Sequence, residues 1–151
     1  MNVCIVAVGK IKETYLENAI ADYLNGLKRY CSVEVIEIKD ERTPDRASDK
    51  EEAIIKQLEG DRILSRISDN QYVITLEIEG KMLTSKTFLS TLKKIPRGKD
   101  IVFVIGGSLG LSVDVIERSN YAISFSKMTF PHQLMRVILL EQLYRCGPHI
   151  S

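Results

Sequence analysis

Short apolar runs alternate with longer stretches of helical periodicity along the whole of this chain. Residues 3–8 (VCIVAV) are continuously apolar, as in a strand covered on both faces. From Glu13 the period changes: Leu16, Ile20, Tyr23, Leu24 and Leu27 recur at helix spacing and form one stripe. Ser32–Ile38 (SVEVIEI) is β-branched and partly alternating, which predicts a strand nearer an edge. Residues 39–46 (KDERTPDR) are charged, carry Pro44 and lack an apolar anchor, so they predict an exposed, mobile loop. Ser48 and Glu51 have the spacing of a capping box opening a helix through Ile54, Ile55 and Leu58. Gly60 weakens that helix, with Ile63, Leu64 and Ile67 carrying it onward.

The second half repeats the alternation. Residues 72–76 (YVITL) predict a strand ending in Glu77-Ile78-Glu79-Gly80-Lys81. Ser85 is the expected cap of a helix running through Phe88, Leu89 and Leu92 to Ile95, broken by Pro96 and Gly98. Ile101–Ile105 is a buried strand that stops on a glycine turn, Gly106-Gly107-Ser108-Leu109-Gly110. A short helix from Ser112, a strand at Tyr121–Ser124 and a loop of mixed chemistry at residues 125–130 follow. Pro131 suits the first turn of a last helix, residues 132–145, because its missing amide hydrogen is not needed there. That helix is apolar nearly all round: Leu134, Val137 and Leu140 line part of it, and Met135, Ile138, Leu139 and Leu143 the rest. It needs cover on two sides, one from the chain's own sheet and one most simply from a second subunit.

Strands alternating with helices throughout predict an α/β fold, a largely parallel sheet flanked by helices. With 151 residues and no linker or repeat, residues 1–151 read as a single domain. Composition narrows the setting. A hydrophobic fraction of 44% and a charged fraction of 27% are those of a globular protein, and no apolar run reaches a membrane span. The N-terminus enters a strand without a signal-peptide pattern, and Cys4, Cys31 and Cys146 lack metal-ligand spacing, so a cytoplasmic, reduced setting is expected. A net charge of +1 argues against generic polyanion binding while leaving room for a local basic face. With two histidines and no Cys/His cluster, no metal is expected.

Candidate chemistry concentrates between Ile101 and Arg136. Two strands, each ending in a shaped loop, predict a ligand pocket at the carboxyl edge of the sheet. The glycine turn is not a P-loop and lacks the G-x-G-x-x-G register of a dinucleotide site. Its glycines either merely permit a tight turn or let an adenine or ribose approach the backbone. The loop Ser126-Lys127-Met128-Thr129-Phe130 is either an ordinary strand-to-helix connection or a ligand loop whose backbone groups do the holding. Lys127 alone reads as a solvated charge. His132 either helps to cap the last helix or takes part in chemistry. Arg136 lies one turn further on the same face, and its expected partner is Glu141 of another subunit or a phosphate.

Three strings make the chain recognisable: residues 104–110 (VIGGSLG), 118–122 (RSNYA) and above all 124–133 (SFSKMTFPHQ). Together with residues 8–10 (VGK), 48–51 (SDKE), Leu76-Glu77, Gly80-Lys81 and residues 141–145 (EQLYR), they closely resemble the ribosomal RNA large subunit methyltransferase H family. The resemblance covers the chain up to Arg145. It implies a SPOUT-type α/β fold with a C-terminal trefoil knot, an exception to the rule that chains avoid threading. It also implies a homodimer that uses S-adenosyl-L-methionine to methylate N3 of a pseudouridine in 23S rRNA of the assembled ribosome. Carried over by position, Leu76, Gly106, Phe125, Ser126, Lys127, Met128, Thr129 and Phe130 contact the cofactor. His132 and Arg136 lie near the target, as base or orienting group and as phosphate or base contact. The chain departs from the family after Tyr144-Arg145, where Cys-Gly-Pro-His-Ile-Ser replaces a basic tail. The alternative is therefore a cofactor-binding, ribosome-associated dimer with weak or no activity.

Overall fold

The computed structural model describes residues 1–150, and these form five strands and five helices in alternation. In chain order they are β1 (Asn2–Val8), α1 (Thr14–Leu27), β2 (Ser32–Ile38), α2 (Asp49–Leu64) and β3 (Tyr72–Met82), then α3 (Ser85–Lys93), β4 (Ile101–Ile105), α4 (Val113–Arg118), β5 (Tyr121–Ser124) and α5 (His132–Ile150). The strands make one sheet in the order β2-β1-β4-β3-β5, and every pairing is parallel. Ile5 on β1 faces Val35 on β2 and Phe103 on β4, and Phe103 faces Ile74 on β3. The central strands are buried throughout, which is why β1 and β4 read as unbroken apolar runs. β2, at the edge, has the half-exposed pattern its alternating charges predict.

Two cores lie on the two faces of the sheet. On one, Ile5, Phe103 and Ile74 pack with Leu27 of α1, Phe88 and Leu92 of α3, and Leu139, Leu140 and Leu143 of α5. On the other, Val6, Val104 and Val73 pack with Ile63 of α2 and Val115 of α4. β5 joins the edge of β3 through Asn120, whose amide donates to the Val73 carbonyl while its side-chain oxygen accepts from the Val73 amide, both at 2.8 Å. Arg118 fixes that corner, donating to the carbonyls of Ser68 and Gln71. The string at residues 118–122 is thus what docks β5. The knot implied by the family resemblance is consistent with this order of strands.

Several local features differ from the sequence expectation. The cap of α3 is Thr84, not Ser85: its hydroxyl accepts from the Thr87 amide at 3.0 Å and Thr87 answers to the Thr84 amide at 2.7 Å, leaving Ser85 as the first helical residue. The predicted box at Ser48 and Glu51 is present, and α2 passes Gly60 but ends at Leu64, short of Ile67. The loop after β2 is anchored rather than loose, because the Glu41 amide donates to buried Glu59 at 2.9 Å and the Glu41 carboxylate pairs with Arg62. Pro131 stands one residue ahead of α5, where its carbonyl accepts from the Met135 amide. α5 runs on past Arg145 to Ile150, with Pro148 inside it. Cys146 is buried there and Gly147 lies against the Tyr30 ring.

β3 is also longer than its apolar run. It pairs with β5 twice, Leu76 and Lys81 both facing Ile123, so residues 77–80 bulge out between two paired segments.

Candidate active site

The crevice at the carboxyl edge follows from topology. The chain leaving β4 crosses to the α4 face, while the chains leaving β1, β3 and β5 cross to the face of α1, α3 and α5. Loops that part in this way leave a gap at the strand ends, the usual ligand position in parallel sheets. Here the gap is a cavity of about 340 Å³, at the small end of the range for organic ligands. Its floor is Leu76 and Ile105, the last residues paired between β3 and β4. One wall is the glycine turn with Leu111; another is the loop after β5, from Ser124 to Phe130; a third is the β3 bulge with Glu77, Ile78 and Glu79. His132 and Met135 close it from the first turns of α5.

Each wall is shaped by local bonds. A Cβ on Gly106 would come within 2.9 Å of the Leu111 side chain and 3.2 Å of the Gly110 backbone, so only glycine lets the turn fold this tightly. Gly107 and Gly110 pair across the turn, with the Gly110 amide donating to the Gly107 carbonyl at 3.1 Å. In the loop after β5, the Ser124 hydroxyl donates to the Ser126 carbonyl at 2.9 Å, and the Ser126 hydroxyl accepts from the Met128 amide at 3.0 Å. Lys127 reaches back to the bulge and donates to the Ile78 carbonyl at 3.3 Å, tying two walls together.

The electrostatics divide the cavity. Leu76, Ile105, Leu111, Phe130 and Met135 make an apolar slot, whereas Glu77 and Glu79 place carboxylates at the bulge. Burial, and then the neighbouring charge of Glu79, raise the pKa of Glu77, the mark of a carboxyl whose anion lacks a countercharge. His132 is half-buried above Gly9; a Cβ on Gly9 would lie 3.2 Å from its Nε2, and Gly9 holds φ +93°, which other residues rarely adopt. Burial and then the charge of Arg136 lower the His132 pKa, with Asp40 opposing them. The imidazole is therefore held toward its neutral form, able to accept a proton.

Of the positions expected from the sequence, Leu76, Gly106, Phe125, Ser126, Met128, Thr129, Phe130 and His132 converge on this cavity. Lys127 and Arg136 are not among its lining residues. Arg136 is only 2% exposed and pairs with Glu37 of its own chain at 2.6 Å, while donating to the Gly9 carbonyl at 2.5 Å. Its partners within the chain are therefore Glu37 and the Gly9 carbonyl, while Glu141 of the same chain bonds Arg145 one turn away, at 2.6 Å. The sequence reading missed Glu77 and Glu79 as lining residues, since only the pairing of β3 with β5 turns them out of the strand. Among the described residues no cluster of His, Cys, Asp and Glu could hold a metal, and no helix is long and apolar enough to cross a membrane.

Fold and cavity together define a three-layer α/β protein with a cavity at the carboxyl edge of its sheet, apolar over part of its lining and bordered by the carboxylates of Glu77 and Glu79. A family model, that of the predicted SPOUT methyltransferases, matches residues 1–148, and the chain belongs to this family. It is 55% identical over 147 residues to the ribosomal RNA large subunit methyltransferase H of Clostridium novyi, covering 96% of this chain and 92% of that one. The protein of the same name from Clostridium beijerinckii is 52% identical over the same coverage. Among solved structures, a probable methylase family protein from Haemophilus influenzae superposes with a TM-score of 0.57 at 11% identity, over 98% of this chain and 67% of that one. A probable rRNA-methyltransferase from Porphyromonas gingivalis gives 0.57 at 10% identity, over 99% and 70%. At such identities these two structures speak for the fold.

Proposed function

We propose that this chain is an S-adenosyl-L-methionine-dependent methyltransferase acting on N3 of a pseudouridine in the 23S rRNA of the assembled ribosome. The observation that carries this reading is the cavity itself, in which the family strings at residues 104–110 and 124–133 meet around one slot. The residues fit the cofactor: the apolar slot suits an adenosine, and the carboxylates of Glu77 and Glu79 suit a ligand bearing a sulfonium and an ammonium. Names given to the Clostridium relatives support the rRNA substrate. A homodimer in the cytoplasm completes the reading, with a second copy covering the outward side of α5.

When bound, the cofactor supplies a methyl group on a positively charged sulfur, a good leaving group. The chain's share is alignment and proton handling. Leu76, Gly106, Phe125, Ser126, Met128, Thr129 and Phe130 would hold the cofactor by shape and backbone, with Lys127 bracing the loop from outside the cavity. His132 lines the cavity, and its neutral ring nitrogen is the group that would take the N3 proton as the nitrogen forms its new bond.

Incubation with methyl-labelled cofactor and ribosomes lacking the mark tests the reading; label recovered on the pseudouridine is the expected result. A second reading is a ribosome-associated, cofactor-binding dimer without transfer. It is favoured by the packing of Cys146 and Gly147 into α5 against Tyr30, which commits these residues to the core instead of to the cavity. Cofactor binding by calorimetry with no label transferred would select it.

A further inference from the structure

Arg136 is the largest fully buried charged side chain of the fold, and it is absent from the cavity lining. Its two terminal nitrogens are both committed, one to the Glu37 carboxylate and one to the Gly9 carbonyl, and its Nε has no partner. The guanidinium is thus used as a two-pronged fork. Glu37 extends the network, since the oxygen that meets Arg136 also accepts from the Ile11 amide at 3.3 Å. Gly9 is itself held to β2, its amide donating to the Ile38 carbonyl at 2.8 Å. The fork therefore staples the segment Gly9-Lys10-Ile11 to the first turns of α5, and the His132 ring rests on Gly9.

We propose that Arg136 and Glu37 are positioning residues for the transfer reaction: they fix the Gly9 segment beneath His132 and so set the place of the imidazole in the cavity lining. The role of His132 in transfer rests on the function proposed above; the seating of its ring does not. A buried arginine is costly unless its bonds are met, and a lysine cannot make both contacts of the fork at fixed angles. Two charged groups act on His132 electrostatically, Arg136 from its own helix and Asp40 from the segment after β2. Beneath it lies Gly9, the residue that follows β1. Arg136 disfavours the imidazolium, and Glu37 offsets part of that effect by neutralising Arg136.

This geometry gives a signature that loosened packing does not. Arg136→Gln removes a positive charge, so the His132 titration should move up. Glu37→Gln keeps shape but strips Arg136 of its counter-ion, so the same titration should move down. General disorder would instead carry both variants up, toward the ordinary histidine value. Proton NMR of the imidazoles reads this directly, because the chain has two histidines and His132→Asn identifies the relevant signal. In the transfer assay, kcat should fall about tenfold or more in each variant while the cofactor Kd stays within about twofold. Titrations that do not move, or that move the same way, overturn the proposal, as does an unchanged kcat. Should Arg136→Gln fail to fold, Glu37→Gln decides alone, because the Glu37 side chain is 40% exposed. If the parent chain transfers no methyl group, the proposed function fails while the two titrations still decide the seating of His132.

Discussion

At the scale of single residues, the cavity depends on atoms that are missing as much as on those present. The Cβ that Gly106 lacks would meet Leu111 and Gly110, inside the turn. Gly106→Ala should therefore act by prising the turn open, at about 1 to 3 kcal/mol. Calorimetry should show cofactor affinity down about tenfold; unchanged affinity would remove the turn from the site. His132 makes a pH prediction. Its folded pKa is lowered, by burial first and by Arg136 second, so the folded state binds protons less readily than the unfolded chain. The stabilisation this provides is complete above the unfolded value of about 6.5 and is lost as pH falls through the folded one. The acid limb of the rate profile should likewise lie below that of an ordinary histidine, and His132→Asn should abolish the limb along with most of the rate. Of this site, the sequence showed the glycine turn, the loop at residues 125–130 and His132, because each is written in contiguous residues. The partner of Arg136 was not legible: Glu37 stands 99 residues away, and only the folded sheet brings it near.

At the scale of elements, most boundaries follow from local chemistry. β5 coincides with its expected span, Tyr121–Ser124, because Asn120 ahead of it and Phe125 behind it are both turn-making positions in this fold. α3 shows how close the alternatives run. Thr84 and Ser85 are adjacent hydroxyl residues, and either can cap a helix. The choice falls on Thr84 because Thr87, three residues on, returns the bond and closes a reciprocal box. Thr84→Ala should therefore cost about 1 kcal/mol in urea unfolding, with Ser85→Ala within a few tenths of the parent. Equal losses would place the cap wrongly. The β3 bulge is the opposite case. Nothing in EIEGK announces it, and its pairing on both sides with Ile123 is a property of the β3–β5 edge. Bulges gather beside functional sites because they re-aim side chains, and here Glu77 and Glu79 are the ones re-aimed.

At the scale of the whole molecule, α5 reaches from the cavity to an apolar outer face. Its inner face, Leu139, Leu140 and Leu143, is fully buried against the sheet side shared with α1 and α3. Its outer face carries Leu134, 36% exposed, with half-buried Val137 and Ile138 beside it, and then the Glu141–Arg145 pair. An apolar stripe ending in charges has the form of an interface core with its rim. The same helix places His132 and Met135 at the cavity, so a second copy seated on the stripe would stand close to these lining residues. Leu134→Glu tests this. A twofold interface meets the substitution twice, and burying or displacing two carboxylates costs at least about 3 kcal/mol, which raises the dimer dissociation constant by about a hundredfold or more. Sedimentation at micromolar concentration should show the parent as a dimer and the variant as a folded monomer. The monomer should also lose methyl transfer to ribosomes, since the α5 face beside His132 and Met135 is left uncovered. A variant that remains dimeric with full transfer would move the interface off this face of α5.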